Sequence, residues 1–369
     1  MKKAIIAILL VLFLTGCWDR LPLKTLGLVD IAGIDLDNEN GDVLLHYIVT
    51  VLNNAGQGNG EPSSQITELK GHSLIEAVGQ GQYTEKGPFF GVHTGIYLFS
   101  KSFATDDPVN ELTFLLKAPY TAINSPVVIL EGDMLKLLKS KIGTNKKFTS
   151  DLVDFVMSLE KNKNAPNVSM MKLILSRKDP LECLAVPLLK QSNSSMVLGG
   201  ALLYRQGTYT GKELDKDQVQ ILMLMLGKIT GGQKFTGNLS SKIEDKNIDY
   251  AFSIKKINSK IITHPESGEL PKVTIGVRLQ INVFKLGKSA LTLKPDYVNR
   301  IEKELSKHLE EKAAATIEIM QKANCDILGI GKEFKAYHPN IWKSLNWRKD
   351  FPEMSIEPNF DVQILNSDE

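Results

Sequence analysis

Apolar and polar residues along this chain follow two periods, and these periods mark out its elements. Alternation with period two predicts a strand over Leu26–Ile34, ending at Gly33-Ile34-Asp35, and a second over Val43–Leu52. The turn residues Asp37–Asp42 between them make the pair an antiparallel hairpin. Further strands are expected at Thr94–Ser100 and Ser125–Glu131. Val197–Tyr204 and Thr208–Thr210 form a second hairpin through Arg205-Gln206-Gly207. Asp249–Ile262 and Lys272–Phe284 are strands, and Pro352–Leu365 is a last strand-rich segment. Helices are expected at Ser73–Gln82, where Ser73 is the N-cap and Glu76 completes a capping box, and at Pro108–Leu116, Met134–Lys139 and Asp151–Ser158. Gly56–Ser64, rich in Gly, Asn, Pro and Ser, is a surface loop.

The helix expected at Asp215–Gly227 has Asp at its start and Gly at its end, and is apolar almost all round, so it belongs in a core. A methionine-rich binding groove is the alternative reading of the same stretch. The clearest helix runs from Pro295 to Ala323. Val298, Ile301, Leu305, Leu309, Ala313, Ile317 and Met320 form one apolar stripe, with Glu302, Lys303, Lys307, Glu310 and Glu311 placed on the outer side. It would be about 43 Å long and should pack across a sheet. No regular β-α-β alternation and no internal repeat is read. The fold class is therefore α+β, with two to three mixed sheet-plus-helix domains. These are an N-terminal part over 17–192, a middle hairpin-plus-helix unit over 196–244, and a C-terminal part over 245–369 carrying the long helix. The small polar run Gln191–Ser195 is the main boundary.

The N-terminal stretch has a secretory pattern. Lys2 and Lys3 precede the apolar run Ala4–Phe13, which is too short to span a bilayer comfortably, and Leu14-Thr15-Gly16-Cys17 is then a lipobox. Small residues before the cysteine let a signal peptidase hold the chain extended, and the Cys17 thiol is the nucleophile that takes a diacylglyceryl group. Residues 1–16 are then a signal peptide, and the mature chain begins at Cys17 outside the cytoplasmic membrane, anchored by lipid. Two acyl chains on one glycerol anchor stably where one does not. Trp18-Asp19-Arg20 follows at the membrane surface, where an amphipathic ring and a phosphate-binding guanidinium are both favoured.

Composition narrows the function. The formal charge of +2 includes Lys2 and Lys3, so the remainder is near neutral, with no basic stripe for nucleic acid. Cys183 and Cys325 stand among apolar neighbours, as buried free thiols do; a disulfide between them would have to link distant segments. The six histidines show no metal-ligand spacing, and no nucleophile motif stands in a fitting context. Gly329-Ile330-Gly331-Lys332 lacks the spacing of a phosphate loop and reads as a helix C-cap and turn. No enzyme, metal site or cofactor is expected beyond the lipid on Cys17.

Several segments resemble one family along nearly the whole mature chain. Leu14–Arg20 is similar to the N-terminal hallmark of the Ger(x)C lipoproteins, the C subunits of spore germinant receptors. Gly33-Ile34-Asp35 fits the end of their first strand. Leu198-Gly199-Gly200-Ala201-Leu202 with Gly211-Lys212-Glu213-Leu214 fits the start of their C-terminal half. The most specific match is Gln321–Phe351: Gln321-Lys322, Asp326-Ile327-Leu328-Gly329-Ile330-Gly331, Pro339-Asn340-Ile341-Trp342-Lys343 and Trp347. Leu21-Pro22-Leu23 departs from the family pattern, which continues there with Arg and an acidic residue, and Ile330 stands where Phe is frequent.

In this last motif Asp326 can cap a short helix, Gly329 and Gly331 permit a tight turn, and Trp342 and Trp347 can pack over the sheet. A docking surface is the alternative reading. The resemblance implies a lipid-anchored receptor subunit on the outer face of the spore inner membrane, working with integral-membrane A and B subunits. A solute-binding lipoprotein of a transporter is the competing reading; it calls for two α/β lobes around a cleft.

Overall fold

The computed structural model describes residues 27–37, 39–52, 62–84, 89–119, 121–145, 147–193, 195–229, 231–241, 246–264, 270–286 and 295–366. The expected signal peptide over 1–16, with the lipobox residues Leu14-Thr15-Gly16, and Cys17, Trp18-Asp19-Arg20 and most of the expected Gly56–Ser64 loop lie outside the described residues.

Among those residues the chain is mixed α+β, with a nine-stranded and a four-stranded sheet. β1 (Gly27–Leu36) and β2 (Val43–Leu52) form the expected antiparallel hairpin, with Ala32 opposite Tyr47. β3 (Pro62–Gly71) adds outside β2, so residues 62–64 are strand and not loop. α1 (Leu74–Gln80) is capped by Ser73, whose Oγ accepts the Glu76 N–H; the Glu76 carboxylate turns back to the His72 N–H at 2.9 Å, one residue earlier than a capping box requires. β4 (Phe89–Phe90) lies beside the start of β1. Next come β5 (Ile96–Ser100), α2 (Lys101–Thr105), α3 (Pro108–Leu112), β6 (Val127–Leu130), α4 (Met134–Thr144), α5 (Phe148–Lys161), α6 (Met170–Ser176) and β7 (Cys183–Ser192).

The strand order is β3-β2-β1-β5-β6-β7, continued by β8 (Ser195–Arg205) and β9 (Thr208–Asp215). β1, β5, β6 and β7 run parallel; helices connect β5 to β6 and β6 to β7, while β2, β3, α1 and β4 lie between β1 and β5 in the chain. The sheet centre is thus a β-α-β arrangement. Its strands at Thr94–Ser100 and Ser125–Glu131 and the helix at Pro108–Leu116 are expected from the sequence, but β7, a continuous apolar run that holds Pro187, shows no period-two alternation and is not read there as a strand.

β7 and β8 pair antiparallel as far as Ser192 opposite Ser195. The small polar run at 191–195 is therefore the turn of a hairpin, and the ladder continues through the expected boundary between 17–192 and 196–244. The segment 196–244 is shared out: β8 and β9 complete the first sheet, and β10 (Lys234–Ser241) opens the second. Between them α7 (Lys216–Met225) starts with a full capping box: Asp215 Oδ1 accepts from the Gln218 N–H at 2.8 Å, and Gln218 Oε1 from the Asp215 N–H at 2.9 Å. Its residues Ile221–Met225 are all buried, so the methionines are core.

The second sheet runs β10, β11 (Lys246–His264), β12 (Lys272–Leu286) and β13 (Ile356–Asn366). β13 joins β12 in parallel after a crossover made of α8 (Pro295–Lys322), α9 (Ile330–Tyr337), α10 (Pro339–Ser344) and α11 (Trp347–Glu353). Val273, Ile275, Val277, Leu279, Ile281 and Val283 all face inward, the period-two pattern of a sheet buried on one side. The α8 stripe is buried from Ile301 to Met320.

Two residues assigned to the solvent side of α8 are placed otherwise. Glu302 and Glu310 accept the backbone N–H groups of Ile364 at 2.7 Å and Phe360 at 3.0 Å, and Ser306 takes that of Val362 at 3.2 Å. The helix thus satisfies the free edge of β13 with its own side chains.

Two cores result. Val29, Ile34, Leu45, Phe99 and Leu202 lie on one face of the first sheet with residues of α1, α2, α3 and α6. The other face, with Ile31, Leu98, Leu130 and Leu203, packs against α4, α5, α7 and α8 in a core that runs without a break into the second sheet. The halves therefore share a core and are not separate lobes around an open cleft.

Candidate functional site

The sequence-specific residues of the C-terminal motif converge where α8 ends. After Lys322 the helix closes with Asn324 in the left-handed region (φ 46°) and the Cys325 N–H bonded back to the Met320 carbonyl at 2.9 Å. Asp326 then acts as a hub. Its Oδ1 accepts from the Gly329 and Ile330 N–H groups at 2.9 and 3.0 Å, and its Oδ2 from Gly331 at 2.7 Å. These are the unpaired donors at the start of α9, so Asp326 caps that helix as expected. The two glycines consequently open a helix and do not close one. Gly329 has φ 80°, and a Cβ on Gly331 would lie 2.6 Å from the Trp347 ring.

Trp347 is buried against Phe334, Phe351 and Trp342, with ring centroids 5.3–6.2 Å apart. Trp342 is half-buried on α10, which Pro339 begins at a position where its missing N–H costs nothing. The tryptophans thus pack among the short helices. Gln321 reaches from α8 to the other side of this cluster and donates Nε2–H bonds to the carbonyls of Phe351 at 3.0 Å and Met354 at 2.8 Å.

The junction also grips the first sheet. Arg348 donates to the carbonyls of Asn324 and Pro180, while Asn324 Nδ2 donates to the Arg348 carbonyl at 2.7 Å. Lys332 pairs with Glu182, and the Cys325 thiol donates to the Tyr204 carbonyl at 3.2 Å. Tyr204 itself is fully buried, and its hydroxyl donates to the Ala104 carbonyl at 2.6 Å. Beside these contacts is a cleft of about 420 Å³, bordered by Lys163, Lys172, Glu182, Cys183, Lys228 and Lys332.

Burial pushes the Asp326 carboxyl above its ordinary range, while the three N–H groups pull it down. The adjoining Cys325 thiol lowers Cys183, and burial raises Cys325. Among the described residues no group of three or more His, Cys, Asp or Glu could hold a metal ion, and no helix is long and apolar enough to cross a membrane.

Gln321, Asp326, Gly329, Gly331, Trp342 and Trp347 are thus brought together, with Pro339 starting the helix that carries Trp342. Sequence reading missed Asn324, Arg348 and Glu182 as parts of the same knot. Each acts across a long sequence separation, for which a single chain gives no local signal. The lipobox, Cys17 and Trp18–Arg20 lie outside the described residues.

Comparison with known proteins accounts for both halves. Residues 19–191 match the family described as spore germination protein N-terminal domain, and residues 198–368 match spore germination B3/GerAC like, C-terminal. The chain is 21% identical to spore germination protein GerQC of Bacillus cereus, over 100% of this chain and 99% of that one. It is 22% identical to spore germination protein KC of Bacillus subtilis (strain 168), over 98% and 95%. The crystal structure of the GerBC protein superposes with a TM-score of 0.59 at 16% identity, covering 91% of this chain and 97% of that one. The family boundary at 191–198 falls in the turn of the β7–β8 hairpin, within one sheet. With both halves matched in order and the fold shared from end to end, the chain belongs to the Ger(x)C family of spore germination proteins.

Proposed function

We propose that this chain is the C subunit of a germinant receptor, held by a diacylglyceryl group on Cys17 to the outer face of the spore inner membrane. It acts by contact with integral-membrane A and B subunits, and not by catalysis. The observation that carries this reading is the end-to-end similarity to spore germination proteins. The lipobox Leu14–Cys17 adds to it.

The structure supports a contact role in physical terms. β1 begins ten residues after Cys17, so an extended tether reaches at most about 35 Å. The ectodomain would stay close to the membrane subunits. Its unbroken core makes it a stiff body, able to pass a displacement from one sheet to the other. Trp18, Asp19 and Arg20 would set its orientation at the lipid surface.

The test is deletion of the gene, followed by dipicolinate release from spores challenged with amino acids, sugars and nucleosides. Loss of response to one class, restored by the wild-type gene and poorly by Cys17→Ala, is expected. Full function and normal membrane retention of Cys17→Ala would remove the anchor from the account. Unchanged germination in the deletion strain across the panel would count against the receptor role.

A further inference from the structure

Cys183 and Cys325 belong to different halves of the chain, yet the fold puts them side by side. Cys183 starts β7 opposite Arg205 of β8. The next residue along β8, Tyr204, offers the carbonyl that takes the Cys325 thiol at 3.2 Å. The Cys325 thiol is thus held one rung from Cys183 on the β7–β8 ladder, and Asp326, the residue after Cys325, borders the same cleft as Cys183. Both are free thiols.

Their exposure is unequal. Cys325 is fully buried, whereas Cys183 is half-buried and lines the cleft between β7 and the start of α9. The cleft border carries Lys163, Lys172, Lys228 and Lys332 against Glu182, which pairs with Lys172 and Lys332, and Asp326, whose carboxylate is taken up by three backbone N–H groups. Lys163 and Lys228 leave it net positive, and its volume falls within the range of small-molecule sites. One thiol is thus reachable by a small anionic reagent, and its partner is reachable only through the first. Attacking and resolving thiols are arranged in this way where disulfides form in two steps.

We infer that Cys183 and Cys325 are a redox pair that closes to a disulfide, with an anionic low-molecular-weight disulfide as oxidant entering by the lysine-bordered cleft. The Cys183 thiolate attacks one sulfur of the small disulfide, forming a mixed disulfide and expelling one thiolate. Cys325 gives up its proton and attacks the Cys183 sulfur, expelling the second thiolate. Two protein thiols are oxidised and one small disulfide is reduced to two thiols, which take the protons from Cys183 and Cys325. The new bond joins β7 of the first sheet to the segment after α8, fastening the two halves at the Asp326 junction. A compartment outside the cytoplasmic membrane permits such a bond to persist.

The experiment uses the full chain in detergent, incubated with oxidised glutathione, blocked with iodoacetamide and mapped by peptide mass spectrometry, which separates these thiols from Cys17. The wild type should yield a peptide pair linked through Cys183 and Cys325, lost on reduction with dithiothreitol. Cys325→Ser should stop at a glutathione adduct on Cys183, and Cys183→Ser should leave Cys325 unmodified until the chain is unfolded. Full alkylation of both cysteines in the oxidised wild type, after unfolding, overturns the inference. An unmodified Cys183 in the folded Cys325→Ser chain overturns the entry route and the inference with it.

Discussion

Replacing Asp326 with alanine tests the account of the junction most directly. The carboxylate accepts three backbone N–H groups, and those of Ile330 and Gly331 are buried. Each buried donor left without an acceptor costs about 1–3 kcal/mol, which puts the loss at about 2–6 kcal/mol. Relief of the penalty for burying a carboxyl offsets part of this, leaving a net destabilisation of about 2–4 kcal/mol. Asp326→Asn keeps one oxygen for Gly329 and Ile330 but sets an amide N–H₂ against the Gly331 N–H, where 2.7 Å now separates donor from acceptor. It should cost about 1–2 kcal/mol, less than alanine. The assay is urea unfolding of the detergent-solubilised chain followed by tryptophan fluorescence, to which Trp342 and Trp347 contribute from within this cluster. An alanine variant within about 0.5 kcal/mol of wild type, or an asparagine variant less stable than alanine, would refute the reasoning.

Three further outcomes are expected. Gly331→Ala brings a methyl group to 2.6–2.9 Å from the rigid, buried Trp347 ring and should cost about 1–3 kcal/mol by the same unfolding assay. Gly329→Ala meets open space but must adopt φ 80°, and should lose about 1–2 kcal/mol, with Gly329→Asn milder. His72 is held above its ordinary value of 6.5 by its hydrogen bond to Asp42, so its protonated form favours the fold; that contribution is present below pH 6.5 and is lost as the pH rises through the folded value. An NMR titration of His72 should therefore fall towards 6.5 in Asp42→Asn, and an unchanged titration would exclude the pair.

How much of this was legible in the sequence depended on whether a signal was local. The β1–β2 hairpin, the capping box of α7 and the stripe of α8 all repeat or pair within a few residues, and the structure keeps them. β3 and β10 passed unread because each is a sheet edge with few apolar residues; in β3 Thr67, Leu69 and Gly71 are buried on one face and Ile66 packs on the other, too weak an alternation to stand out among Ser, Gln, Glu and Lys. Polar character misled twice more. Gln191–Ser195 read as the main domain boundary, and the two family matches do divide there, but a hairpin turn needs the same small polar residues and the sheet continues across it. Glu302 and Glu310 looked solvated, but a carboxylate is also what the unpaired N–H groups of an edge strand require. At the junction, the cap by Asp326 was readable from spacing, whereas the grip of Arg348 on Pro180 and Asn324 was visible only in three dimensions.

The parallel pairing of β12 with β13 bears on the order in which the chain can fold. Val273 finds its partner in Ile356, across an intervening run that includes the whole of α8. Helices form from contacts within one turn, but a ladder of such sequence separation must wait for loop closure. As the chain is made from its N-terminus the second sheet would therefore stand with one side of β12 open until residues 356–366 emerge. α8, already formed, would then present Glu302, Ser306 and Glu310 as a row of acceptors for the arriving strand. A truncation before Ile356 would leave both the ladder and this row without partners, and the cost would be felt first as slow, aggregation-exposed maturation of the chain.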